Sequence, residues 1–136
     1  MALSTRVQYR LKSSLSKTDA VSLELPTRTG YARLARLAAA SIALRVGFPR
    51  RVIDDLRLAL DEAMILLLAP GDESDRILID YSVEDHTILV MLRRTPSRRT
   101  SEAGEQRFLD LTAELVDERT VDSSSGTLTL RKSLPS

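Results

Sequence analysis

Apolar residues recur along this chain with two different periods, and the changes of period predict where its elements lie. Runs in which every second residue is apolar are typical of half-buried strands, whereas apolar residues three and four positions apart are typical of helices. Proline and glycine near positions 26, 47 and 70 mark boundaries between these runs. The predicted strands are 20–25, 76–83, 87–92, 120–121 and 127–130, and the predicted helices are 31–46, 50–69 and 102–118.

The order of these elements predicts the fold class. Helices grouped against paired strands give an α/β two-layer sandwich, in which the helices pack on one face of a mixed, mainly antiparallel sheet. The chain of 136 residues has the length of one domain. We therefore expect one folded domain at 20–136, preceded by residues 1–19 as an N-terminal tail or an edge strand.

Composition and charge exclude several classes of protein. The 20 basic and 19 acidic residues leave a net charge of +1, which gives no support for nucleic-acid binding. The absence of cysteine excludes disulfides and thiolate metal sites. We find neither an apolar run long enough to span a bilayer nor a signal-peptide core. These features predict a cytoplasmic protein that binds no membrane and no metal.

The first helix has more apolar surface than one packing face requires. Between Leu37 and Leu44 every residue is apolar or small, so two faces of the helix are suited to burial. One interpretation is a helix enclosed within its own fold, or alanine chosen for its helix propensity. The other is an interface with a partner protein. Under that interpretation the candidate partner-binding residues are Arg33, Arg36, Ala40 and Ala43.

The second helix contains the most informative motif, DDLRLALDEAMILLLA. Its segment 55–63 resembles the pattern acidic–φ–(K/R)–L–A–φ–(D/S)–E–A of the serine-kinase anti-sigma factors. These proteins are part of the histidine-kinase-like (Bergerat or GHKL) ATPase superfamily, and the resemblance extends over roughly residues 20–134. It implies a homodimer that binds a sigma factor in bacterial transcription regulation and stress response. An anti-anti-sigma factor is a possible further partner. The resemblance also places Arg36 where the family has an arginine that contacts sigma.

Three features of the family's ATP site have no counterpart in this sequence. Leu66 stands where the family has a magnesium-binding asparagine, and the segment 93–97 (RRTPS) replaces an Asp-x-Gly-x-Gly motif. Of a second glycine motif, Gly104 remains. The resemblance then implies a sigma-sequestering protein that is not an enzyme and has no cofactor. Glu62, the counterpart of the residue that orients the attacking group, is a relic candidate without a catalytic role.

Two other interpretations remain open. One is a divergent but active serine/threonine kinase that binds Mg-ATP, and the other is a dimerisation or scaffold module that binds neither sigma nor nucleotide. The arginine-rich segment 93–101 is expected to be a solvated loop, with protein docking as the alternative. His86, the single histidine, lies in a predicted hairpin loop and is expected to have no catalytic or metal-binding role.

Overall fold

The structure is a computed structural model that describes residues 19–68 and 74–135. Apart from Asp19, the predicted tail or edge strand 1–19 lies outside these residues, and the predicted domain boundary stays a prediction. The strands are β1 (Asp19–Pro26), β2 (Arg76–Glu84), β3 (Thr87–Thr95), β4 (Glu118–Asp122) and β5 (Thr127–Ser133). The helices are α1 (Ala32–Val46), α2 (Arg50–Leu67) and α3 (Glu102–Thr112), and a short 3-10 turn (Thr29–Tyr31) precedes α1.

The five strands form one sheet in the order β1-β2-β3-β5-β4, with every neighbouring pair antiparallel. The tight turn between β2 and β3 contains no glycine; Asp85 supplies its left-handed backbone with φ of 57°. Aspartate tolerates that conformation better than most residues. The three helices pack against the sheet, so the predicted two-layer α/β sandwich is confirmed. The sheet is wholly antiparallel among the described residues, rather than mixed.

The core lies between the inner face of the sheet and helix α2. Alternate residues of the three central strands point inward and are buried: Ile77, Ile79, Tyr81, Ile88, Val90, Leu92, Leu128 and Leu130. Helix α2 contributes a continuous apolar stripe, in which Leu56 and Leu60 are fully buried. Burying one such side chain stabilises the fold by about 1.5–3 kcal/mol, so this layer fixes the position of α2.

Helix α1 packs on this core through alanines. Ala35, Ala39 and Ala43 are fully buried, and the Tyr81 hydroxyl donates a hydrogen bond to the carbonyl oxygen of Ala35 at 2.8 Å. Burial raises the pKa of Tyr81, which keeps this hydroxyl protonated. The helix ends at Gly47, whose φ of 95° is the left-handed conformation that glycine adopts readily. Small side chains therefore face the core, while the bulkier leucines of α1 face outward.

Two element boundaries differ from those predicted. Helix α3 ends at Thr112 instead of residue 118, because the chain must turn there for Glu118 to begin β4 opposite Arg131. Strand β3 continues through Thr95, so the first arginines of the expected solvated loop belong to the sheet. None of the helices in the described ranges is long and apolar enough to cross a membrane.

Arg94 is the clearest departure from the expected solvated loop. Its side chain is 3% exposed, and its Nε lies 3.0 Å from Oδ2 of Asp75, which is also buried. Its Nη1 donates to the carbonyl oxygen of Leu67 at 2.9 Å, at the end of α2. Since every second residue of β3 points inward, Arg94 follows Leu92 into the protein interior.

We predict that Arg94→Met destabilises the protein strongly, because it leaves the Asp75 carboxylate buried without its cation. The expected loss in the free energy of unfolding is about 3–5 kcal/mol, measured by urea denaturation. Arg93→Met is the matched control, since Arg93 is exposed on the opposite face of the same strand. The control should change stability by less than about 0.5 kcal/mol. Equal losses in the two variants would contradict the assignment.

Candidate functional site

An open pocket of about 310 Å³ lies between α2, α3 and the loop that follows β3. Its position results from the fold, because α2 and α3 lie side by side on the sheet and the loop closes one end. The lining residues are Glu62, Ile65, Leu66, Leu67, Arg94, Arg98, Arg99, Thr100, Ser101, Gly104, Arg107 and Phe108. The pocket therefore brings together the motif of α2 that carries the family resemblance, the arginine-rich segment and Gly104, which lie far apart in the sequence.

Glu62 forms an ion pair across this pocket. Its Oε1 accepts a hydrogen bond from Nη1 of Arg107 at 2.6 Å, and its side chain is 20% exposed. The pair joins α2 to α3. Arg107 could not be predicted as a site residue from the sequence, since its partner lies 45 positions earlier in the chain and no local pattern connects them. The glutamate is thus held by an arginine rather than free at a solvent edge.

Leu66 and Gly104 are in direct contact at the floor of the pocket. A Cβ atom added to Gly104 would lie 2.8 Å from Cδ1 of Leu66 and 2.7 Å from Oγ of Ser101, so no larger residue fits there without movement. The Ser101 side chain caps α3 by accepting a hydrogen bond from the Gly104 amide at 3.0 Å. The leucine that replaces the family's asparagine therefore supports the start of α3.

The pocket residues in the described ranges do not by themselves supply the ligands that magnesium requires. This ion requires oxygen ligands in near-octahedral geometry, and a protein site normally supplies one or more carboxylates for it. Among the described residues, the one carboxylate that lines the pocket is paired with Arg107, and Leu66 offers no oxygen. In the described part of the chain, no group of three histidine, cysteine, aspartate or glutamate side chains is placed to hold a metal ion.

The loop at the pocket mouth is fixed to the neighbouring hairpin. Glu105 accepts hydrogen bonds from the hydroxyls of Thr100 and Ser123, and the Thr100 amide donates to the Ser123 carbonyl oxygen at 3.2 Å. Gly126 approaches the loop so closely that an added Cβ would lie 2.2 Å from the Arg98 carbonyl oxygen. These contacts position the arginines of the loop without help from a ligand.

The candidate partner-binding residues of α1 occupy different environments. Arg33 is exposed and Ala40 is half-buried, but Ala43 is fully buried and cannot itself form part of an exposed surface. Arg36 binds within the chain, with Nη1 2.7 Å from Oδ1 of Asp61 on α2. The expected role of Ala43 in direct contact therefore needs correction, because its position faces α2 and the sheet. The partner-binding role of the other residues stays a prediction.

We predict that the hydrogen bonds to the Glu105 carboxylate make the stability of the protein depend on pH in the acid range. Hydrogen bonds from Thr100 and then Ser123, together with the nearby charge of Arg99, hold the pKa of Glu105 below its ordinary value of 4.5. A carboxylate whose pKa is lowered in the folded state stabilises the fold at pH values above its ordinary pKa. This contribution is lost as the pH falls through the folded-state pKa.

The free energy of unfolding should therefore fall less between about pH 7 and pH 3 in Glu105→Gln than in the unmodified protein. Chemical denaturation at each pH measures this difference. Glu102→Gln, an exposed substitution in the same first turn of α3, is the control and should keep the original pH dependence. If the free energy of unfolding changed with pH in Glu105→Gln as it does in the unmodified protein, the hydrogen bonds of Glu105 would contribute nothing to the pH dependence.

Comparisons of the sequence identify related proteins. The chain is 32% identical over 75 residues to the serine-protein kinase RsbW of Listeria innocua, covering 53% of this chain and 48% of the relative. It is 30% identical over 87 residues to the serine-protein kinase RsbW of Oceanobacillus iheyensis, covering 61% of this chain and 55% of the relative. The chain thus spans about half the length of the curated relatives it matches. No family model matches it.

A solved structure has the same fold. The RsbU and RsbW domains of Rv1364c from Mycobacterium tuberculosis superpose with a TM-score of 0.68 at 18% sequence identity. The match covers 85% of this chain and 32% of that one. At this identity the likeness concerns the fold, and it agrees with the histidine-kinase-like sandwich predicted from the sequence.

The prediction that the chain is not an enzyme is wrong by these comparisons. The curated relatives from both organisms are named serine-protein kinases, which points to an enzyme. That prediction rests on the missing magnesium ligand and glycines, whereas the sequence similarity extends to proteins named as kinases. With that correction, the resemblance itself is confirmed: the chain is similar to the RsbW serine-protein kinases over about half of their length, and it shares its fold with a solved structure that contains an RsbW domain.

Proposed function

We propose that this protein is an anti-sigma regulator that sequesters a sigma factor by direct contact through the outer side of α1. The observation that carries this proposal is the row of exposed leucines on that helix. Leu34, Leu37 and Leu44 are 46%, 54% and 69% exposed, while the buried residues of the same helix are Ala35, Ala39 and Ala43. The relationship to the RsbW proteins supports this class of partner.

The exposed leucines serve no packing role within the described fold. Single exposed apolar residues are common, but large apolar side chains that recur along one helix are typical of protein-binding surfaces. Leu37 and Leu44 are seven positions apart, which places them on the same side of the helix two turns apart. A partner helix or groove that covers them would bury apolar surface that the monomer leaves in water.

The arginines beside this row supply polar contacts to the proposed interface. Arg33 is exposed, and Arg36 is about one-third exposed although it binds Asp61. A carboxylate of the sigma factor would share Arg36 with Asp61 or displace it, at small cost because a partly exposed ion pair contributes about 0–1 kcal/mol. The Arg36–Asp61 pair then holds the guanidinium in position for a partner.

We also propose a homodimer that acts in the bacterial cytoplasm in transcription regulation and stress response. Release of sigma would come from a competitor, an anti-anti-sigma factor that binds the same protein and shifts the population away from the sigma complex. Light scattering after size exclusion measures the dimer directly, and a mass of one chain at micromolar concentration would contradict it.

The leucine row is tested by the double variant Leu37→Ser/Leu44→Ser. Titration of purified sigma factors from the source organism should show binding by the unmodified protein and roughly tenfold or weaker binding by this variant, since two interface anchors are lost. The control is Leu111→Ser on α3, which removes a leucine of similar exposure, 47%, elsewhere on the surface. Equal affinities for all three proteins would exclude this side of α1 as the interface.

The role of Arg36 is tested by exchanging the charges of its pair. Arg36→Asp combined with Asp61→Arg keeps an ion pair between α1 and α2 but reverses the charge at position 36. We expect stability close to that of the unmodified protein and sigma binding weakened by about tenfold or more, since like charges then meet across the interface. Retained affinity would show that Arg36 acts within the chain alone.

The second candidate function is phosphorylation of a serine in a partner protein. Two observations favour it: the name of the curated relatives, and a pocket at the end of α2 that contains Glu62. Incubation of the chain and a candidate anti-anti-sigma protein with γ-labelled ATP tests it. Label on a serine that disappears with Glu62→Gln supports the kinase, whereas label retained in that variant would assign the transfer to another residue or a contaminant.

A further inference from the structure

We propose that the outer side of α1 binds an acidic amphipathic helix of the partner protein, and that the two helices pack side by side as a short coiled coil. This inference rests on the proposed function and names the kind of segment that the interface receives. Two observations carry it: the spacing of the exposed residues of α1, and the charge on both flanks of that row.

The exposed residues of α1 have the spacing of a coiled-coil seam. Leu34, Leu37, Ser41 and Leu44 follow one another at intervals of three, four and three positions, and all four are exposed. Alternating intervals of three and four are the pattern by which two helices pack along their length, with the side chains of each inserted between those of the other. The 15 residues of α1 span about 22 Å, which is enough for two such repeats.

The other faces of α1 are compatible with a helix docked on this seam. The buried alanines Ala35, Ala39 and Ala43 lie on the opposite side of the helix and pack on the core. Ala38 and Ala40 lie beside the seam and are half-buried, so no large side chain there keeps a second helix away. The seam is therefore narrow, which suits a partner helix better than the broad apolar face by which a helix enters a membrane surface.

Both flanks of the seam carry an arginine. Arg33 lies on one flank near the start of α1, Arg45 lies on the other flank near its end, and both are exposed. Within the described ranges neither forms an ion pair, whereas Arg36, further from the seam, binds Asp61. Residues beside a coiled-coil seam form ion pairs between the helices and determine which partner is accepted. The docked helix should therefore carry glutamate or aspartate beside its own apolar row.

The same charges disfavour a second copy of α1 as the docked helix. Residues 32–46 contain no acidic side chain, so two α1 helices would bring arginines together without a carboxylate to pair with them. Like charges placed across an interface weaken it and exclude wrong partners. Ser41 adds to this discrimination, since a polar residue within the seam lowers the stability of the contact and fixes its register. The proposed homodimer would then use another surface.

Two synthetic helical peptides test this inference on the full chain. Both have leucine at the seam positions of every repeat, and beside the seam one has glutamate and the other lysine. Fluorescence anisotropy should show that the acidic peptide binds roughly tenfold or more tightly than the basic one. Its affinity should fall as salt is added, because salt screens exposed charges. The mixture should show more helix by circular dichroism than the separate components, and the acidic peptide should displace a bound sigma factor.

The variant Arg33→Glu/Arg45→Glu should reverse the preference, so that the basic peptide binds more tightly. Its matched control is Arg51→Glu/Arg93→Glu, which changes the net charge by the same amount at two exposed arginines outside α1. The control should keep the preference for the acidic peptide. The double serine variant of the leucine row should bind neither peptide, and circular dichroism melting establishes that each variant is folded.

Equal affinities for the two peptides, or an unchanged preference in Arg33→Glu/Arg45→Glu, would overturn the inference. So would a dimer that the double serine variant dissociates, or binding of phosphatidylserine vesicles without binding of the acidic peptide. Sigma binding that needs the leucine row while neither peptide binds would overturn the inference and leave the proposed function standing. Binding of the acidic peptide while no sigma factor binds would support the helix-docking site and overturn the assignment of the partner as sigma.

Discussion

Helix α2 is the element on which the rest of the structure depends. Its apolar stripe lies on the inner face of the sheet, and its acidic side chains bind cations from three other elements at its flanks. The three pairs are Asp55–Lys132, Asp61–Arg36 and Glu62–Arg107. Apolar burial fixes the height of the helix over the sheet, and the ion pairs connect it to β5, α1 and α3. Because these pairs are partly exposed, they specify neighbours more than they add stability.

The residues of the α2 motif also stabilise contacts between α2 and its neighbouring elements. Glu62 is the residue that the family resemblance relates to chemistry, and both Glu62 and its neighbour Asp61 are engaged by arginines of the same chain. Leu66 extends the helix's apolar contacts to Gly104, at the start of α3. The pocket that results has a hydrophobic floor and a basic wall.

Much of this fold was predictable because its signals are local. The period of the apolar residues in α2 and the alternation in β2, β3 and β5 each depend on neighbours in sequence, and their positions are confirmed. The burial of Arg94 was not predictable in this way. Its partner Asp75 lies on the far side of a hairpin, and a basic run ending in proline is typical of a loop.

The sequence also could not predict which face of α1 packs against the core. Both its alanine face and its leucine face are compatible with a core, and only the close contact of Ala35 and Ala39 with the fold decides between them. The pocket could not be predicted from the sequence for a similar reason. Its arginines come from a loop and from α3, and their meeting depends on tertiary contacts such as the anchor at Glu105.

In the proposed function, the outward side of α1 is the surface by which this protein binds its target. Hydrogen–deuterium exchange of the protein with and without a candidate sigma factor measures this most directly. We predict slower exchange in peptides covering Ala32–Val46 when the partner is bound. Protection confined to α3 and the pocket, with α1 exchanging as in the free protein, would contradict the account.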